Sequence, residues 1–153
     1  MLEVFIVVET TSERVGVSET DFELLGLEEL GTAELVRRVS DGFPYEVLDH
    51  LRESVDLSTS SLAQLLSINA RTLNRRKLEG RLNPGESDRV LRLARVYANA
   101  LGLFGGNLDK ARRWLSTSKV ALGGESPLDY ARVEVGAREV LDLIGRIEHG
   151  VPS

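Results

Sequence analysis

The chain has 153 residues, of which 42% are hydrophobic and 28% charged, the balance of a globular protein with a core to bury rather than a disordered or fibrous chain. It has no cysteine, which excludes disulfide scaffolding, thiol redox chemistry and Cys-based zinc sites and fits a reducing compartment. The formal net charge of −5 hides a segregation. Residues 1–56 carry four basic residues against fourteen acidic ones, residues 57–100 carry eight against three, and residues 101–153 balance at seven each. The basic middle third points to a polyanionic partner, unless the acidic arm folds back upon it.

In chain order, Val4–Val8 is a short β-rich run behind Glu3. It is too short for a signal core and lacks a basic flank, and no apolar run approaches the roughly 18 residues of a membrane span. The expectation is therefore a soluble, cytoplasmic protein with no membrane association. Residues 1–42 read as a loosely held appendage with one strand at 4–8 and one helix at 33–39, ended by Asp41-Gly42. From Phe43 the pattern is helical: Pro44 suits a first turn, and Val47, Leu48, Leu51 and Val55 share a face. Ser58 or Thr59 caps a helix through Leu62, Ala63, Leu65 and Leu66, and Asn69 caps another from Ala70 to Glu79, stopped at Gly80. Asn83-Pro84-Gly85-Glu86 opens a long helix by cap-plus-Glu logic. Its apolar stripe is Val90, Leu93/Ala94, Tyr97, Ala100/Leu101 and Phe104, and Gly105-Gly106 ends it. Asn107 caps a helix with Leu108, Ala111, Trp114 and Leu115 on one face, Trp114 being a core residue. A loop spans 116–125, Ser126-Pro127 opens a short helix, and the last helix buries Val140, Leu141, Ile144 and Ile147. The fold class is all-α: an appendage (1–42), a helix-turn-helix domain (43–106) and a C-terminal helical domain (107–153).

Chemistry concentrates in Ser60–Arg76. Two short helices joined by a tight turn, with Ala63 at their crossing and Leu62, Leu66 and Leu73 inside, form a helix-turn-helix pattern. Ser67 stands where glycine is usual, so it must take a left-handed conformation at roughly 1 kcal/mol. At 100° per residue, Ala70, Leu73 and Lys77 face inward, Arg71, Thr72, Arg75 and Glu79 face outward, and Arg76 lies on the flank. Arg71 and Arg75 are one turn apart near the start of the second helix, where side chains reach base edges. Each can donate two hydrogen bonds to guanine, worth roughly 1–3 kcal/mol of discrimination. Thr59, Thr72, Arg76, Lys77 and Arg81 are placed for phosphates, which position without specifying.

Catalytic residues are not expected. His50 and His149 are the only histidines, lie far apart and lack a metal-ligand companion. The serines of 58–61 serve as caps, and the Gly105–Lys110 stretch lacks phosphate-loop spacing and follows a helix. Asp129, Glu134, Glu139 and Asp142 read as a solvated helix face. No metal and no cofactor are expected.

Beyond residue 80 the ordered strings Ala111-Arg112-Arg113-Trp114-Leu115-Ser116-Thr117, Ala121-Leu122-Gly123-Gly124-Glu125-Ser126-Pro127-Leu128-Asp129, and Gly145-Arg146-Ile147-Glu148-His149-Gly150 resemble the C-terminal domain of Xre/MbcA/ParS-type antitoxins. The preceding helix-turn-helix, with Arg71-Thr72-Leu73 and Arg75-Arg76, is similar to that family's Xre-like half, so the resemblance spans about residues 44–151. It implies a type II antitoxin whose partner is a RES-domain toxin that consumes NAD or transfers its ADP-ribose. It also implies a homodimer that represses its own operon by binding double-stranded operator DNA. The toxin-facing residues would be Leu122, Gly123 and Gly124 of the loop and Arg146, Glu148, His149 and Gly150 of the tail. Read from the residues alone, Gly123-Gly124 is equally a tight turn, and Arg146 a cation at a helix C-terminus. A stand-alone helix-turn-helix repressor, and a protein-binding inhibitor whose helix-turn-helix leaves DNA alone, stay open beside it.

Overall fold

The computed structural model describes residues 16–150, so the strand expected at 4–8 lies outside the described residues. Among them are nine α-helices: α1 (Glu19–Leu25), α2 (Thr32–Asp41), α3 (Tyr45–Ser54), α4 (Thr59–Leu65), α5 (Ala70–Glu79), α6 (Pro84–Leu103), α7 (Leu108–Ser116), α8 (Pro127–Tyr130) and α9 (Glu134–Glu148). A 3-10 turn over Val120–Leu122 lies inside the expected loop.

Most helix starts sit where the capping residues placed them. Ser58, rather than Thr59, accepts from the backbone of Ser61 at 3.0 Å, and Asn69 from that of Thr72 at 2.8 Å. Asn83 and Glu86 close a reciprocal capping box, Asn107 caps α7, and Ser126 caps α8 ahead of Pro127. Each cap satisfies N–H groups that a helix start leaves without an intrahelical partner.

Helix α6 is the axis of the molecule. Helices α1, α2 and α3 pack against it from the N-terminal side of the chain, α7 and α9 from the C-terminal side. This two-sided packing explains why Val96 and Ala98 are buried together with Val90, Leu93, Ala94, Tyr97 and Ala100, where the sequence shows a single stripe. Burial also pushes the Tyr97 hydroxyl up to about 12, because removal from water disfavours the phenolate.

The described part of the N-terminal segment is not the loose appendage its polar sequence suggested. Ser18 and Asp21 form a capping box for α1, and Phe22, Leu24 and Leu25 join the common core. His50 ties α1 to α3, its Nδ1 lying 3.2 Å from the Leu24 carbonyl oxygen and 3.3 Å from Ser54 Oγ, which gives that histidine a structural role. The acidic arm thus lies against part of the basic centre, with Asp21 beside Arg95. Desolvation raises the Asp21 pKa, opposed by its bonds to Ser18 and the Arg95 charge. Because Leu25 is fully enclosed between α1, α3 and α6, Leu25→Ala is expected to cost about 2–5 kcal/mol, read as a lower urea midpoint. An appendage that merely hung from the domain would leave the midpoint unmoved.

A short antiparallel clamp fixes the frame. Tyr45 N–H donates to the Gly80 carbonyl at 3.0 Å and Leu82 N–H to the Phe43 carbonyl at 2.9 Å, tying the start of α3 to the segment between α5 and α6. Gly42 makes this approach possible: at φ +90, a side chain there would collide with the Leu82 carbonyl oxygen.

Candidate functional site

Helices α4 and α5 meet through the turn Leu66–Asn69. Ser67 adopts φ +55, the left-handed conformation expected of it. Its N–H donates to the Gln64 carbonyl at 3.1 Å, and Ile68 N–H to the Ala63 carbonyl at 2.9 Å. The strained turn is held from outside as well. The Arg89 guanidinium, on α6, donates to the Leu66 carbonyl at 2.8 Å and to that of Ser67 at 3.4 Å. Leu62, Ala63, Leu66, Ile68 and Leu73 form the hinge's apolar interior.

On α5 the outward placement of Arg71 and Arg75 holds, for both are exposed, as are Thr59 and Lys77. The inward face differs from the expected one. Leu73 alone is fully buried; Ala70 and Lys77 are exposed, while Thr72 and Arg76 are half-buried. The cause lies ten residues further on. Arg76 Nε donates to Glu86 Oε1 at 2.7 Å and its Nη1 to Glu79 at 3.1 Å. The same Glu86 oxygen accepts Asn83 N–H at 2.9 Å in the cap of α6. Glu86 is almost wholly buried, its side chain 4% exposed against 17% for Arg76, so the pair rolls α5 toward Arg76. Hydrogen bonds to Glu86 first and Glu79 second raise the Arg76 pKa. Arg76 is therefore a structural cation and not the free phosphate ligand the sequence suggested. Arg81 is also engaged, donating to the Gly42 carbonyl at 2.6 Å. Arg75 lies 3.7 Å from Glu79, a loose pair on an exposed face. Leu78, beside Lys77, is 90% exposed and adds an apolar side chain to this face.

Arg76→Ala strands a buried carboxylate and is expected to lower Tm by several degrees in a thermal melt. An unchanged Tm would mean that Glu86 is satisfied by its cap bonds alone.

The C-terminal unit carries a second exposed surface. Ala111 and Leu115 of α7 are buried, whereas Trp114, expected in the core, is half-buried with the Lys119 ammonium 4.9 Å from its ring centroid. Burial lowers the Lys119 pKa. The 119–125 loop closes on itself. Lys119 N–H donates to the Glu125 carbonyl at 3.0 Å, and the Lys119 carbonyl accepts Leu122 N–H at 3.1 Å and Gly124 N–H at 2.9 Å. Leu122, expected on a partner-facing loop, instead points into the core at 1% exposure and anchors the turn; Val120 is 98% exposed in its place. Gly123 and Gly124 are exposed.

The last helix buries Gly136, Ala137, Val140, Leu143 and Ile144. Leu141 is half-buried and Ile147 exposed, so the inward stripe is rotated from the expected one. That rotation brings Leu141, Arg146, Glu148 and His149 to a groove of about 410 Å³ beside Asn99 of α6. The tail residues are thus gathered on one surface, with Gly150 at its exposed end. The 3-10 turn touches α9, which places the loop and the last helix side by side. Glu134, expected as a solvated carboxylate, pairs with Arg92 at 3.0 Å and Arg138 at 3.3 Å. Among the described residues no cluster of His, Asp and Glu could hold a metal ion, and no helix is long and apolar enough to cross a membrane.

Comparison with known proteins finds two family matches along the chain. Residues 34–95 match the family described as the antitoxin Xre-like helix-turn-helix domain. Residues 100–150 match the antitoxin Xre/MbcA/ParS C-terminal toxin-binding domain. The chain is 41% identical over 120 residues to an Antitoxin Xre of Yersinia enterocolitica, covering 78% of this chain and 81% of that protein. An Antitoxin Xre of Photorhabdus laumondii is 33% identical over 116 residues, covering 75% and 78% respectively. One of Pseudomonas putida is 33% identical over 129 residues, covering 83% and 79%.

Proposed function

The chain belongs to the Xre antitoxin family, and on that premise we propose that it neutralises a RES-domain toxin, one that consumes NAD or transfers its ADP-ribose, by covering the toxin's active site. The covering surface is the C-terminal one: the Gly123-Gly124 loop with Val120 beside it, and the tail from Arg146 through Glu148 and His149 to Gly150. The helix-turn-helix, as part of a homodimer, binds the promoter of its own operon and represses it. Arg71 and Arg75 read bases there, and Thr59, Thr72 and Lys77 contact phosphates.

The observation that carries the reading is the pairing, to either side of helix α6, of two exposed surfaces, one from the middle of the chain and one from its C-terminal part. One is the face of α5 with Arg71 and Arg75 exposed, the other the groove edge with Arg146, Glu148 and His149. A helix end that projects its last turn is shaped to enter a cleft, and an arginine-bearing helix beside a tight turn is shaped to enter a major groove.

The experiment adds this chain in steps to the purified protein encoded beside it while NAD loss is followed. NAD consumption that stops at a fixed stoichiometric ratio is the expected result. A neighbour that leaves NAD alone, or consumes it with this chain in excess, removes the toxin half of the proposal.

A further inference from the structure

The turn of the helix-turn-helix is held by two guanidinium groups, and only one comes from the helix-turn-helix half. Arg89 of α6 takes the Leu66 and Ser67 carbonyls. The other is Arg132, in the segment between α8 and α9, whose Nη2 donates to the Gln64 carbonyl at 2.6 Å across 68 residues of sequence. That carbonyl is the one that also accepts Ser67 N–H, so Arg132 grips the point where α4 ends and the left-handed turn begins.

Arg132 is itself fixed. Arg92 Nη1 donates to the Arg132 carbonyl at 3.2 Å, and Arg92 Nε to Glu134 at 3.0 Å. On its other flank Gly136 lets α9 lie directly on the Tyr130 carbonyl. The segment carrying Arg132 is thus pinned between α6 and α9, and its side chain reaches the turn from a rigid base.

We propose that Arg132 is a positioning residue for DNA reading: the C-terminal half of the chain, through this one guanidinium, sets the angle between α4 and α5 and so the depth at which Arg71 and Arg75 enter the groove. The inference rests on the DNA-binding function proposed above. The helix–turn crossing is determined by short-range contacts around Ser67, a residue that holds its left-handed backbone at a cost. Two cations on three carbonyls around the turn, those of Gln64, Leu66 and Ser67, offset that cost and restrict the turn to one geometry, which bidentate base contacts require and phosphate contacts do not.

The test uses the full chain and two fluorescent duplexes, one carrying the DNA upstream of its own gene and one of scrambled sequence, titrated over a range of salt. For Arg132→Gln the affinity for the upstream duplex is expected to fall about 5- to 20-fold. Affinity for the scrambled duplex should change less than about 2-fold, and the dependence on salt should be unaltered. Arg132→Lys, which still donates one bond to the Gln64 carbonyl, should recover most of the loss. Equal weakening on both duplexes with a shallower salt dependence would make Arg132 a phosphate ligand and overturn the proposal. Upstream affinity unchanged in Arg132→Gln overturns it too, as does a loss that Arg132→Lys fails to repair. A wild-type chain that does not distinguish the two duplexes would instead refute the DNA-binding reading itself, and this inference with it.

Discussion

Replacing Arg71 and Arg75 together with alanine is expected to weaken binding to the operator by about 100-fold while leaving Tm unchanged. Both side chains are exposed on α5. Arg75 has only a loose contact with Glu79 at 3.7 Å, an exposed pair of the kind that contributes little to stability. Removing them therefore takes nothing from the fold. Each bidentate contact to guanine is worth roughly 1–3 kcal/mol, so the loss of two in the same groove gives an effect of this size even with incomplete additivity. The check is a binding titration on operator and scrambled duplexes, with a thermal melt of the same preparation. Arg76→Ala supplies the contrast, because its cost falls on Tm through Glu86. If the double variant retained operator affinity, α5 would not be the reading helix. Its charge would then serve only to draw the chain toward the polyanion.

The second large effect is expected at Gly136. In the first turn of α9, a Cβ at this position would run into the Tyr130 carbonyl oxygen and carbon. Backbone rather than a flexible side-chain end is what it meets, so relief requires α9 to move off α8. Gly136→Ala is expected to cost about 3 kcal/mol, the upper end of the overpacking range, seen as a lower urea midpoint at unchanged slope. Gly145→Ala, nine residues further along the same helix, faces open space. It should be neutral or stabilise by roughly 0.5–1 kcal/mol through helix propensity. Because α9 carries the tail from Arg146 onward, Gly136→Ala is expected also to raise the amount of chain needed to silence the toxin. Equal midpoints for the two alanine variants would refute the close approach of α9 to Tyr130.

Local rules account for what could be read in the sequence. A cap is a bond between a residue and one three places on, so Asn69, Asn83 with Glu86, Asn107 and Ser126 marked the starts of four helices, and the pair Ser58 and Thr59 marked a fifth to within one residue. The left-handed Ser67 followed from its place in the turn, where glycine is usual. The exposure of Arg71 and Arg75 followed too, although the register used to place them put Ala70 and Lys77 inside, where neither lies.

Where the sequence misled, the deciding partner was distant. Residues 19–25 look polar and short, yet Phe22 and Leu25 are buried because α3 and α6 supply the other walls of their site. Leu122 was set on a partner-facing loop by the family resemblance alone. The 3-10 turn nonetheless folds it into the core beside α9.

The sequence by itself determined the helices from α2 onward, their order and the helix-turn-helix, since capping and hydrophobic spacing act over one or two turns, and its ordered motifs determined the family. Tertiary structure alone decided how each helix is rotated about its axis. Arg76 turns inward toward Glu86, α9 buries Leu143 rather than Leu141, and Arg132 crosses from one half to the other to grip the Gln64 carbonyl. Rotation costs a helix none of its own hydrogen bonds, so nothing local selects it. Only the charges and walls of neighbours ten or more residues away do.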